Sequence, residues 1–144
     1  MKLINQISVF LENKPGMMAK VTQLFAQNGV DMRALSLAET SDFGIVRVIV
    51  DDVYKASMLL KDEGYIFSVN AVLGVVIPDE PGGLNRVLHV LDAAGMNIEY
   101  VYAFLAGQSN HAYMILRVQD NAIATAALNA ENITCIGEEE LQSL

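Results

Sequence analysis

The chain has 144 residues, 53% of them hydrophobic and 18% charged, with a formal net charge of −8. That balance is ample for a packed core and excludes a disordered chain, while the acidity argues against binding a phosphate backbone. No apolar run approaches the ~18 residues of a membrane helix, and the single cysteine, Cys135, excludes an intrachain disulfide and thiolate clusters for zinc or iron–sulfur centres.

The opening residues Met1-Lys2-Leu3-Ile4-Asn5-Gln6 lack a long apolar h-region and a small-residue cleavage site, so no signal peptide is expected and the default location is the cytoplasm. Leu3 to Glu12, rich in Ile, Val and Phe, reads as a strand. Asn13-Lys14-Pro15-Gly16 is a turn that opens a helix, since proline is tolerated in a first helical turn. From Met17 to Asn28 the apolar positions Met18, Val21, Leu24 and Phe25 share one helical face, and Gly29 stands at a left-handed C-cap. Asp31 to Glu39 is a second strand, Thr40-Ser41-Asp42 a hairpin turn and Gly44 to Val50 a third strand. Asp51-Asp52 caps a helix from Lys55 to Asp62 with Ala56, Leu59 and Leu60 inward, Gly64 closes it, and Tyr65 to Val72 is a fourth strand. The same order then returns: strand Gly74 to Ile77, helix Gly83 to Ala94, hairpin Asn97 to Leu105 with Ala112 to Val118, helix Asn121 to Asn129 and strand Ile133 to Ile136. The tail Glu138-Glu139-Glu140-Leu141 reads as a short helical cap or a solvated end.

An internal repeat underlies this order. Pro15-Gly16 recurs as Pro81-Gly82, and at the same shift Val9 meets Val75, Val21 meets Val87 and Gly29 meets Gly95. Ile45-Val46-Arg47-Val48 meets Ile115-Leu116-Arg117-Val118 four residues later, which places an insertion near Gly107 to Asn110. An even insertion at a hairpin tip keeps every side chain on its face. The expected organisation is two domains, 1–72 and 73–144, each a βαββαβ unit of the α+β, ferredoxin-like class with an antiparallel sheet and its helices on one face. Residues 1–72 hold seven of the nine Lys and Arg, so most of the negative charge falls in the second copy.

That fold hosts many functions, so residues must decide. An RNA-recognition module needs aromatics interleaved with Lys and Arg. Tyr100, Tyr102 and Phe104 alternate on one face, but only Arg86 and Arg117 are basic nearby, so a face packed on a helix or on the other unit is expected. His89 and His111 have no counterparts in the other copy and no neighbouring nucleophile. Carboxylate pairs such as Asp51-Asp52 and Asp79-Glu80 fall at helix starts, where capping accounts for them. Pro81-Gly82-Gly83 lacks the Lys-Ser/Thr of a phosphate loop, and Cys135 reads as a small core residue. No catalytic residue, metal ligand or cofactor is expected.

Both copies keep the junction after strand one and the glycine before strand two. A helix that starts at glycine presents free N–H groups and a positive dipole end to a carboxylate. Asp31 or Asn97, opening strand two, offers oxygens to an ammonium. The two together describe a free amino acid. On these features alone helix punctuation is the simpler account: Pro-Gly starts the helix, Gly ends it, and Asp or Asn tolerates the turn.

The string Asn13-Lys14-Pro15-Gly16-Met17-Met18-Ala19-Lys20-Val21 with Asn28-Gly29-Val30-Asp31-Met32 resembles the ACT domain family. Asp79-Glu80-Pro81-Gly82-Gly83-Leu84 with Ala94-Gly95-Met96-Asn97-Ile98 resembles it equally, so the whole chain looks like a stand-alone tandem ACT protein. The resemblance implies a non-enzymatic, ligand-sensing regulator that binds an amino acid, forms a homodimer and acts on a regulated enzyme. The alternative it leaves is a regulatory subunit that interacts with an enzyme and has lost its ligand. In that family the ligand lies between the strand-one/helix-one loop of one domain and the start of strand two in a neighbour. Carried over, the ligand-binding residues are Asn13, Gly16, Met17, Met18, Asp31 and Met32, and in the second copy Asp79, Gly82, Gly83, Leu84, Asn97 and Ile98. Asp79 in place of Asn13, Asn97 in place of Asp31 and Gly83 in place of Met17 make the two sites chemically unequal.

Overall fold

A computed structural model describes residues 1–39, 42–105 and 110–144. The proposed turn at Thr40 and Ser41 and most of the insertion, Gly107 to Ser109, lie outside the described residues. The elements are β1 (Ile4–Glu12), α1 (Met17–Gln27), β2 (Met32–Glu39), β3 (Phe43–Val50), α2 (Val53–Asp62), β4 (Ile66–Pro78), α3 (Gly83–Ala93), β5 (Ile98–Ala103), β6 (His111–Val118), α4 (Asn121–Ala130), β7 (Thr134–Ile136) and α5 (Glu138–Gln142). They group into two compact units, one of residues 5–70 and the other of residues 1–4 with 71–144.

In the unit of residues 5–70 the strand order is β2-β3-β1, with β4 beside β1. The pairs are antiparallel, with Ile7 opposite Val48, Leu11 opposite Gly44 and Glu39 opposite Gly44 on the other side. Alternation places Ile7, Val9 and Leu11 of β1 and Val46, Val48 and Val50 of β3 on one face, where Val21 and Phe25 of α1 and Ala56 and Leu60 of α2 close over them. Both helices therefore cover the same side of the sheet.

The unit of residues 1–4 and 71–144 repeats the plan in the order β7-β4-β6-β5. Leu73, Val75 and Ile77 of β4 and Leu116 and Val118 of β6 meet Val87 and Leu91 of α3 and Ala124 and Leu128 of α4. Cys135 belongs to this core at 8% exposure. Tyr100 and Tyr102 stand opposite Arg117 and Ile115, on the face away from the helices. They stack at 6.3 Å between centroids, and Phe104 meets Tyr113 edge-on at 6.1 Å. Tyr102, Tyr113 and Ile115 on this face are buried, at 9%, 7% and 0% exposure.

The strands expected at Tyr65 to Val72 and Gly74 to Ile77 form one continuous strand, Ile66–Pro78. Gly74, expected to open the second of these strands, lies inside the continuous one. A Cβ there would fall 2.5 Å from Ile4 Cδ1 and 2.9 Å from Ile136 Cγ1, so the glycine marks close packing.

Candidate ligand clefts at two glycine-capped helices

The four long helices start in two different ways. Asp52 accepts from the Lys55 N–H at 3.0 Å at the head of α2, and Asp120 accepts from the Ile123 N–H at 3.1 Å at the head of α4. Each satisfies one of the donors that a first helical turn leaves open. The N-caps of α1 and α3 are Gly16 and Gly82, at φ 87° and 90°, and neither offers a side-chain cap. Asp79 and Glu80 do not cap α3, contrary to the expectation for that carboxylate pair. The Asp79 N–H instead donates to the Asn110 carbonyl at 2.9 Å, and the Glu80 N–H donates to the Pro78 carbonyl at 2.9 Å. A Cβ on Gly16 or Gly82 would meet nothing within 4 Å, so the approach to both helix ends is open.

A cleft lies at each of these ends. The first, about 390 Å³, is lined by residues 11–18 with Leu37, Glu39 and Gly44. The second, about 370 Å³, is lined by residues 76–78, Glu80, the Pro81-Gly82-Gly83 turn, Arg86, Val87, His111 and residues 132–134. Asn13, Gly16, Met17 and Met18 line the first, and Gly82 and Gly83 the second. Asp31 and Met32 lie elsewhere: Met32 pairs with Val50 at the end of the sheet opposite the Glu12–Phe43 pair that leads into the Gly16 turn. The Asp31 N–H donates to Asp51 at 2.9 Å and its carboxylate pairs with Arg33 at 3.2 Å. Asn97 is exposed, while Leu84 and Ile98 rest on the second core. Each unit by itself therefore brings together only the loop half of the expected site.

Leu37, Glu39, Arg86, His111, Asn132 and Thr134 line the clefts without having been foreseen there. Arg86 was legible in principle, because it stands four residues after Gly82 and helical periodicity turns it back toward the helix start. Leu37, Glu39, His111 and Thr134 reach the clefts on paired strands and Asn132 in the turn before β7, and local sequence displays neither. A larger hollow of about 670 Å³, bounded by Met1, Lys2, Thr125 and Cys135, adjoins the second cleft and shares Asn132, Ile133 and Thr134 with it. Burial there pushes the Cys135 thiol up from its ordinary range, which keeps it protonated and poorly nucleophilic. Among the described residues no group of three His, Cys, Asp or Glu side chains is placed to hold a metal ion, and no helix is long and apolar enough to cross a membrane.

Two βαββαβ units with glycine-capped first helices form a tandem ferredoxin-like fold. The chain matches the ACT domain pair family over residues 2–144 and belongs to it. The ACT domain is a regulatory, ligand-binding module and not a catalytic one. Among solved structures, protein BT0572 from Bacteroides thetaiotaomicron is 34% identical, covers 99% of this chain and 97% of its own, and superposes with a TM-score of 0.91. The regulatory subunit of aspartate kinase from Thermus thermophilus shares the fold at 20% identity and a TM-score of 0.68, covering 92% of both chains. Aspartate kinase from Clostridium acetobutylicum, 14% identical with a TM-score of 0.54, covers 88% of this chain with 32% of its own. No curated protein matches the sequence.

Proposed function

We propose that the protein is an amino-acid sensor whose clefts at Gly16 and Gly82 each receive the carboxylate of a free amino acid. The carrying observation is the contrast in helix capping. Two of the four long helix starts are closed by aspartate, while the two at corresponding positions in the repeat are left open by glycine beside clefts of a size that suits a small metabolite. Membership of the ACT domain pair family supports the reading. In this reading the ammonium meets the carboxylates that line the clefts, Glu39 and Glu80, rather than Asp31 and Asn97, which line neither. The protein acts as a cytoplasmic homodimer, the commonest assembly, and ligand binding favours one state for a regulated enzyme over another through different affinities for the two.

The test is a thermal-shift screen against the twenty amino acids. A ligand at 100 times its Kd stabilises by about 2.7 kcal/mol, which raises the melting temperature of a chain this size by several degrees. One or two hits that vanish on Gly16→Val or Gly82→Val support the sensor. A flat screen with folded protein replaces it with a regulatory subunit that binds its enzyme without a ligand, and pull-down then decides.

A further inference from the structure

The two clefts occupy corresponding places in the repeat, yet their walls differ in chemistry. In the first, Leu11, Met17, Met18 and Leu37 form an apolar wall. Its charged side chains are Glu12, Lys14 and Glu39. Glu12 and Lys14 neutralise one another at 3.0 Å, so the charge that remains for a ligand is the carboxylate of Glu39. In the second, Glu80 supplies one carboxylate, while Arg86 and His111 stand beside the open start of α3. Arg86 gives one donor to the Glu131 carbonyl; its fork of five N–H groups can hold a carboxylate as well.

From this difference we infer that the clefts have divided specificity: the first takes an amino acid with an apolar side chain, the second one with an acidic side chain. The inference rests on the sensor reading above. Matching charges lead to the assignment. A zwitterion with an apolar side chain needs one anion acceptor, one carboxylate and an apolar wall, which are the α1 start, Glu39 and the Leu37 wall. An acidic amino acid brings a second carboxylate, and the second cleft has a second acceptor for it in Arg86. The second cleft also has apolar lining in Val76, Ile77, Pro78, Val87 and Ile133, so it is Arg86 and not a want of apolar surface that sets it apart, and an apolar ligand side chain there would leave the guanidinium without a carboxylate. An acidic side chain in the first cleft would face Glu39 and the apolar wall.

The experiment is isothermal titration of the full chain with L-glutamate, L-aspartate, L-leucine and L-methionine. Wild type is compared with Arg86→Gln and Leu37→Gln, both at partly or fully exposed positions. One of the acidic probes should bind, weaken by about tenfold or more on Arg86→Gln, as expected for loss of a charged hydrogen bond, and keep its affinity on Leu37→Gln. One of the apolar probes should show the reverse. Acidic probes unaffected by Arg86→Gln, or apolar probes filling both clefts, would overturn the divided specificity and leave the sensor standing. Failure of all twenty amino acids to bind the folded wild type would remove the sensor reading, and this inference with it.

Discussion

At the residue scale the glycines carry the sharpest consequences. Gly16 and Gly82 have positive φ and open surroundings, so a Cβ strains the backbone without striking a neighbour. Gly16→Ala and Gly82→Ala should each lose about 1–2 kcal/mol in urea denaturation. Gly83 obeys a different constraint, because its Cβ would fall 2.5 Å from the Pro78 carbonyl oxygen, a backbone atom that cannot swing away. Gly83→Ala should cost about 1–3 kcal/mol as an overpacking effect, whereas its counterpart in the first copy is a methionine. Lys2 and Glu140 give a pH signature. The Lys2 ammonium, aided by the Gly137 N–H, holds the Glu140 carboxyl down to about 2 from its ordinary 4.5. Because the folded value is the lower one, the interaction contributes fully above the ordinary carboxylate range and is lost as pH falls from there through about 2. Carbon-detected NMR titration should show the Glu140 midpoint rising on Lys2→Met, though not fully, since the Gly137 hydrogen bond persists.

At the element scale the helices divide by cap. Asp52→Ala and Asp120→Ala each remove a side-chain acceptor from a first turn and should destabilise by about 0.5–2 kcal/mol, measured by the denaturation midpoint. The Asp52 cap was legible, because an aspartate after a strand and before an amphipathic run has one simple role; Asp120 stands in the same setting and caps α4 without having been foreseen there. Asp79-Glu80 shows where that logic fails. The same residue types stand near a helix start, but Pro81-Gly82 intervenes and the backbone of 79 and 80 is already engaged with Asn110 and Pro78. The near-continuity of β4 was legible in the lack of a flexible linker between Ser68 and Ile77, but the role of its glycine was not. Gly74 carries a turn-forming residue type, and only the nearness of Ile4 and Ile136 reveals why a strand keeps a glycine there.

At the scale of the whole molecule each unit has its own core, and the chain's opening residues belong with the later part of the sequence. Ile4 is fully buried and Leu3 rests on the second core. Ile4→Ala should therefore cost about 2–5 kcal/mol, and hydrogen exchange should quicken at β7 more than at β2. Equal quickening in both strands would show that Ile4 stabilises no particular unit. The sequence by itself determined the βαββαβ repeat, the helix-facing positions and the loop half of the clefts. Each of these is written in local periodicity, in glycine and proline placement, or in the spacing between two copies. Tertiary structure alone decided that Leu37, Glu39, His111 and Thr134 stand beside those loops, and that the strand-two residues of the same unit do not. Strand pairing brings together side chains far apart in the chain, and a crossover helix returns the chain to the opposite end of its sheet before strand two begins.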